Sequence, residues 1–221
     1  MKEHYYLDLE HYSVRKLKIS LQNCKMIPSR VMLKDHIEER FEILQNNGIQ
    51  NMKALIAVLN TPQKIERFSR QSGLPIDYLS VLKREAKSYH SKPISLKKFP
   101  GVDSNDLDAL EAQGIKNSKQ LFEKGHVSEA RQQLSQVTGI SLERLNELVS
   151  LSDLARLYGV GPVFARMIYD AGIRSVKTFV QYDAEEFVRL YEKATHKKAD
   201  FNVSDMNFCL ELAKELERPG D

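Results

Sequence analysis

The chain of 221 residues contains only two cysteines, which limits the disulfides and cysteine metal sites that it can form. Cys24 and Cys209 form neither a Cys-x-x-Cys pair nor a cluster with histidine. The six histidines are scattered, and none stands four residues from another histidine or a cysteine, the spacing that puts two metal ligands on one helix face. We therefore expect two reduced thiols in the core, no metal site and no cofactor.

Long apolar runs are also missing. No stretch of 18 apolar residues occurs, and the first residues contain no apolar segment of the signal-peptide type. Hydrophobic residues nonetheless make up 42% of the chain, which is enough for a buried core. We therefore expect a soluble, cytoplasmic protein that does not enter a membrane.

Charge of one sign is not in large excess. The chain carries 33 basic and 30 acidic residues, for a net charge of +3. This balance does not by itself argue for nucleic acid, so a phosphate site has to depend on local charge. The strongest basic run is residues 83–98, with Glu85 as its only acid. It can supply sequence-independent affinity for a phosphate backbone, or it is a solvated helix end and linker.

Strands of alternating apolar and polar residues are absent, apart from residues 5–9, which can form an extended N-terminal arm. Instead, glycines follow amphipathic runs of helical period, and hydroxyl side chains stand at the starts of such runs. The sequence therefore predicts an all-α fold of about a dozen short helices. The glycines are Gly48, Gly73, Gly114, Gly125, Gly139 and Gly172, and the capping residues are Thr61, Ser104, Ser141 and Ser204.

The helical pattern repeats along the chain. Residues 48–82 and 114–148 align without gaps at an offset of 66, with nine identical residues among 35. A third copy begins at Gly172, and all three copies share Gly-Ile-x-(Asn or Ser)-x-Lys. We therefore predict tandem copies of one helical unit.

A polar, proline-containing break at residues 88–93 interrupts the pattern. We place a domain boundary near residue 91. An N-terminal helical domain of residues 1–91 then holds the first copy. A C-terminal helical domain holds the second copy, residues 92–150, and the third, residues 151–221.

Residues 157–173 are the most informative stretch. Gly159 and Gly161 flank a valine, and Pro162 then opens a helix that Gly172 closes. Two glycines let the backbone turn tightly and leave bare amides at a helix N-terminus, which can hold a phosphate. We expect the turn to join helices of roughly residues 153–158 and 162–171.

Leu154, Gly159, Gly161, Ala165 and Gly172 match the pattern of the helix-hairpin-helix motif, which this stretch resembles. Residues 25–215 resemble a bacterial family of tandem helix-hairpin-helix-like proteins that carries only a domain-of-unknown-function label. That resemblance implies tandem helical hairpins and suggests nucleic acid, but it transfers no enzyme activity. The segments that carry it are Ile27-Pro-Ser-Arg30, Phe99-Pro-Gly-Val102, Leu151–Pro162 and Ala171-Gly172-Ile173.

The candidate nucleic-acid site is this turn, whose backbone groups and nearby cations would contact phosphate oxygens. The alternative is that the two glycines only let two helices approach closely. Related hairpins sometimes hold a monovalent cation on loop carbonyls. The candidate residues are Gly159, Val160, Gly161, Val163 and Arg166, with Arg156, Arg174 and Lys177 adding positive charge against Asp170.

The other copies look like poorer binders. The matching turn is absent at Asp35 in copy one and partial at Gly101 in copy two, where Asp103 replaces the second glycine. Further carboxylates follow Asp103 and would repel a phosphate. They are Asp106, Asp108 and Glu111.

Lys53, Lys119 and Lys177 recur at one position of the repeat. They either contact a ligand or bind the last carbonyls of the preceding helix, and we favour the second role.

Catalytic motifs are missing from the chain. It has neither a Gly-x-Ser-x-Gly elbow nor a P-loop. Helix-hairpin-helix glycosylases need an aspartate about twenty residues after the hairpin, and Asp183 at that place looks like a helix cap. We therefore favour a non-catalytic module that binds nucleic acid, such as DNA, through its backbone. The alternative is a protein-interaction scaffold of helical repeats. Neither reading fixes the oligomeric state.

Overall fold

The computed structural model describes residues 4–196, 198–199, 201 and 203–217. Over these residues the protein is all-α, as predicted, with helices joined by short turns. The β-type pairings within the described ranges are two isolated bridges, Ser13 with Asn51 and Ser95 with Asn117.

The chain divides into two units between His90 and Ser91. The N-terminal unit comprises Leu7–His90, and the C-terminal unit runs from Ser91 onward. The described residues before Leu7 group with the C-terminal unit, although the sequence led us to assign them to the N-terminal domain. The reason is Tyr5, which is buried in that unit, where its hydroxyl is hydrogen-bonded to Ser118 Oγ at 2.6 Å.

The N-terminal unit is built around apolar faces of five α-helices and one 3₁₀ helix. Leu17, Leu44, Leu55 and Leu82 are fully buried in it, as expected for amphipathic helices of period 3.6. Its helices are α1 (Val14–Asn23), a 3₁₀ helix (Pro28–Lys34), α2 (Ile37–Asn46), α3 (Met52–Val58), α4 (Pro62–Ser72) and α5 (Ile76–Ser88).

The C-terminal unit packs around α9, which contacts α7, α8 and α10. Leu148, Leu151 and Leu154 on α9 are buried in one apolar cluster with Ala165 and Ile168 of α10. The unit contains a 3₁₀ helix (Leu96–Lys98), α6 (Ser104–Ala112), α7 (Ser118–Gly125), α8 (Ser128–Thr138), α9 (Leu142–Leu154), α10 (Pro162–Asp170), α11 (Val176–Phe179), α12 (Ala184–Thr195) and α13 (Val203–Leu216).

The same local hydrogen bonds recur 66 residues apart in α3–α5 and α7–α9. In each set an asparagine caps the first helix, and a serine near the end of the second helix donates to a carbonyl beyond the following glycine. These shared bonds are local, and the duplication of a whole helical unit stays a prediction. The bonds are Ala54 N to Asn51 Oδ1 and Gln120 N to Asn117 Oδ1, then Ser69 Oγ to Leu74 O and Ser135 Oγ to Ile140 O.

The turn before each copy has a residue in the left-handed region. Gly101 and Gly159 occupy it with φ of +76° and +75°, and glycine adopts this conformation without a steric penalty. In copy one, His36 takes the left-handed position with φ of +48°, one residue after Asp35.

The helix before the candidate turn is longer than the sequence suggested. Residues 153–158 are not a separate helix, because α9 runs without interruption from Leu142 to Leu154 and residues 155–159 are turns. Ser141 starts this helix by accepting from the amide of Arg144. The helix after the turn, Pro162–Asp170, lies as predicted.

Candidate functional site

The candidate turn between α9 and α10 is held by its own backbone. Leu157 N donates to Leu154 O at 3.1 Å, and Val160 N donates to Leu157 O at 3.2 Å. The Val160 side chain is buried in the core, so this residue can offer a ligand only its backbone. Gly159, by contrast, is exposed.

The N-terminus of α10 is open. Gly161 is the N-cap and has no side chain to bind the first-turn amides, and Pro162 follows it with no amide hydrogen. The helix offers the amides of Val163 and Phe164, which have no carbonyl one turn earlier within it. Val163 is 58% exposed. Two donors at a positive helix end therefore have no capping side chain.

The equivalent helix of the second copy is closed. The Asp103 carboxylate occupies its N-cap position and accepts from Asn105 N at 2.8 Å. The acids that follow are also engaged: Asp106 pairs with Arg144, and Glu111 pairs with Lys116. In copy two, the carboxylate of Asp103 thus binds the N-terminus of α6. In copy three, the matching N-terminus of α10 has no capping side chain.

The guanidinium of Arg166 has three partners within the protein, so it is not free to bind a phosphate. Its Nε donates to Pro100 O at 3.0 Å, and one Nη donates to Glu147 at 2.5 Å. The other Nη lies 3.7 Å from Asp170. Arg166 therefore ties α10 to α9 and to the turn of the second copy.

Arg156 is a structural residue. It is 2% exposed and donates to Asp153 Oδ1 at 2.6 Å and to His4 O at 2.9 Å. Its guanidinium also lies 4.4 Å from the centre of the Phe122 ring. The expectation that Arg156 adds charge to a phosphate site is not met, because its cation is buried and already bound.

Arg174 and Lys177 lie elsewhere, on a groove of the C-terminal unit with a volume of about 590 Å³. None of the turn residues from Gly159 to Val163 lines it. The structure thus distributes the predicted residues over three places: the open turn, the Arg166 and Arg156 contacts, and this groove. The groove is formed by residues of α7, α8, α9, α10 and α11 and of the segments that join α7 to α8 and α10 to α11, and it also contains Arg131, His126 and Glu143.

The sequence did not indicate Arg131, His126 or Glu143 as site residues. Arg131 lies in α8, Glu143 in α9 and His126 in the turn between α7 and α8, and no short spacing joins them to Arg174 or Lys177. Their place in the groove depends on how the second copy packs against the third. A linear sequence pattern does not contain this information.

The repeated lysines do not bind the ends of their preceding helices. Lys53 pairs with Glu10 at 2.6 Å, and Lys119 pairs with Glu123 at 3.2 Å. Lys177 has no ionic partner among the described residues. The favoured capping role is therefore wrong. The ammonium groups of Lys53 and Lys119 bind nearby carboxylates instead of helix carbonyls.

The basic run at residues 83–98 is shared between the two units, since it continues past Ser91. Its only acid, Glu85, is buried and binds Arg30, and burial raises the pKa of this carboxyl. Lys87 donates to Asn60 at 3.3 Å.

The described residues contain no group of three or more metal-ligating side chains. Neither cysteine forms a disulfide, and burial raises the pKa of the Cys209 thiol to about 12. Within the same described residues, no helix has the length and apolar character needed to cross a bilayer.

No curated protein and no solved structure matches the chain. A family model described as a domain of unknown function (DUF4332) matches residues 100–214, from the turn of the second copy into α13. This match covers just over half of the chain, so the protein belongs to the DUF4332 family.

Proposed function

We propose that the turn between α9 and α10 binds phosphate groups of a nucleic-acid backbone without reading its sequence. The observation that carries the proposal is the open N-terminus of α10, where Gly161 leaves the amides of Val163 and Phe164 without a capping side chain. Phosphate oxygens accept hydrogen bonds from such amides and are attracted by the positive helix end.

The proposed contacts are fewer than the sequence suggested. Val163 and Phe164 donate through their amides, and Gly159 and Gly161 let a phosphate approach closely. Arg156 is buried, and the guanidinium of Arg166 is already bound, so neither supplies a free cation. We therefore expect weak binding, with dissociation constants on the order of 10⁻⁴–10⁻⁶ M at physiological salt.

Gly161→Asp tests the proposal while preserving the fold. Gly161 has φ of −85°, which any residue adopts, and a Cβ there would meet no described atom within 4 Å outside its chain neighbours. The new carboxylate would cap α10 as Asp103 caps α6, and would occupy the phosphate position with negative charge. Affinity should fall below detection while helicity stays unchanged.

The measurement is a titration of random-sequence duplex and single-stranded DNA at several salt concentrations, followed by fluorescence anisotropy. Gly161→Ala is the matched control, since it adds a Cβ without charge and should retain most of the affinity. Equal DNA affinity in the wild type and Gly161→Asp would exclude the turn as the binding site.

A protein-interaction scaffold is the second candidate function. Large apolar side chains are exposed on the C-terminal unit, at Val127, Val137, Leu142 and Val163. Absence of DNA binding by the wild-type protein at low salt would leave this scaffold as the better account.

A further inference from the structure

The groove of the C-terminal unit has the dimensions of a small-molecule site. Its volume of about 590 Å³ lies within the range of ligand pockets. It is separate from the turn proposed to bind nucleic acid, because none of the residues from Gly159 to Phe164 lines it. Ligand binding in the groove is therefore independent of the proposed binding of nucleic acid by the turn.

Two arginines of the groove are held in place by main-chain oxygens. Arg131 Nη1 donates to the carbonyls of Gly125 and His126 at 2.7 and 2.9 Å. Arg174 Nη1 donates to Tyr169 O at 2.6 Å, and its guanidinium lies 3.7 Å from the centre of the Tyr169 ring. These bonds fix each planar group and use one of its nitrogens, so the others retain hydrogen-bond donors.

Neither arginine has a carboxylate within 4 Å in the described part of the chain. Lys177 is the third cation of the groove, and it likewise lacks an acidic partner there. The lysines at the same repeat position in the other copies, Lys53 and Lys119, are both paired with glutamate. The third copy thus leaves unpaired a charge that the first two neutralise.

The acids of the groove do not neutralise these three cations. Asp153 binds Arg156 through Oδ1 at 2.6 Å and accepts from Val176 N through Oδ2 at 2.9 Å. Glu217 also faces Arg156, at 4.0 Å. Glu143 is exposed and contacts none of the three cations within 4 Å. The groove therefore presents preoriented positive charge that no carboxylate of the described residues pairs with.

We infer that this groove binds a small oxyanion that carries linked phosphoryl groups, either free pyrophosphate or the diphosphate of a nucleotide. Fixed guanidinium groups with free donor edges bind phosphoryl oxygens through paired hydrogen bonds, and an ammonium adds a point charge. Arg131, Arg174 and Lys177 supply these groups.

The test is isothermal titration of the whole protein with pyrophosphate at low ionic strength. The wild type should show saturable binding, and Lys177→Gln should weaken it by roughly tenfold or more, as expected when a hydrogen bond between charged groups is lost. Lys119→Gln is the matched control, because it removes the same charge at the same repeat position outside the groove. Its affinity for pyrophosphate should equal that of the wild type.

Two results would overturn the inference: no saturable pyrophosphate binding by the folded wild type, or equal weakening in Lys177→Gln and Lys119→Gln. Adenosine diphosphate separates the two sources of the ligand. Tighter binding than pyrophosphate indicates a nucleotide, and equal binding indicates the free oxyanion. Gly161→Asp should keep pyrophosphate affinity even if it loses DNA, so the failure of one proposal is distinguishable from the failure of the other.

Discussion

At the scale of single residues, Arg156 is a charge held by several contacts within the C-terminal unit. It is buried, it pairs with the partly exposed Asp153, and it also binds the carbonyls of His4 and Tyr5. A buried ion pair gains little over an apolar pair of the same shape, but removing one partner leaves the other charge and its neighbours without compensation. Arg156 is therefore expected to matter for stability rather than for ligand binding.

We expect Arg156→Ala to destabilise the C-terminal unit by about 3–5 kcal/mol, because it removes a buried guanidinium and leaves Asp153 and two carbonyls without their donor. Hydrogen exchange of the amides of α9 measures this change. Arg189→Ala is the control, because Arg189 and Glu185 form an exposed pair, and its effect should stay within about 0.5 kcal/mol. Similar protection in both variants would show that the buried contacts of Arg156 contribute little.

The sequence showed the charge of each arginine in the third copy and the acids close to it in the chain, but not its distant partners. Arg166 is bound by Pro100 and Glu147, and Arg156 by residues more than 150 positions away. Such partners are set by how helices pack, and no local spacing encodes them. The accessible cations of the candidate site could therefore not be predicted.

At the scale of the elements, several starts and ends of helices were predictable because their signals are local, but Ser104 and Ser204 were wrong as caps, since Asp103 caps α6 and Ser204 lies within α13. Pro162 and Gly172 bracket α10, and Asp183 caps α12 by accepting from the amide of Glu186, as expected. The end of α9 was not predictable, because its last turn is stabilised by burial of Leu151 and Leu154 rather than by a breaker residue.

The packing of α10 against α9 depends on a small residue at Ala165, which has no exposed surface. Ala165→Phe should destabilise the C-terminal unit by about 1–3 kcal/mol, because the added ring has no space in the filled core. Chemical denaturation reports the change. Val163→Phe, at an exposed position of the same helix, is the comparison and should leave the midpoint unchanged.

At the scale of the whole molecule, the C-terminal unit also includes the described residues before Leu7. The sequence could place a break near residue 91, because polar residues and a proline interrupt the helical pattern there. It could not show that Tyr5 belongs to the second unit, because that depends on contacts with Ser118 and Phe122. Burial raises the pKa of Tyr5 to about 12.

A substitution of Tyr5 should therefore destabilise the C-terminal unit. Tyr5→Ala removes a buried ring and should cost about 3–5 kcal/mol, as large aromatic truncations do. Tyr5→Phe should cost only about 1 kcal/mol, because Ser118 Oγ still accepts from Ile94 N at 2.9 Å. Hydrogen exchange resolves where the loss falls: faster exchange in α7 and α9 is expected. Faster exchange confined to α3 and α5 would instead place Tyr5 in the N-terminal unit, against the contacts that bury it.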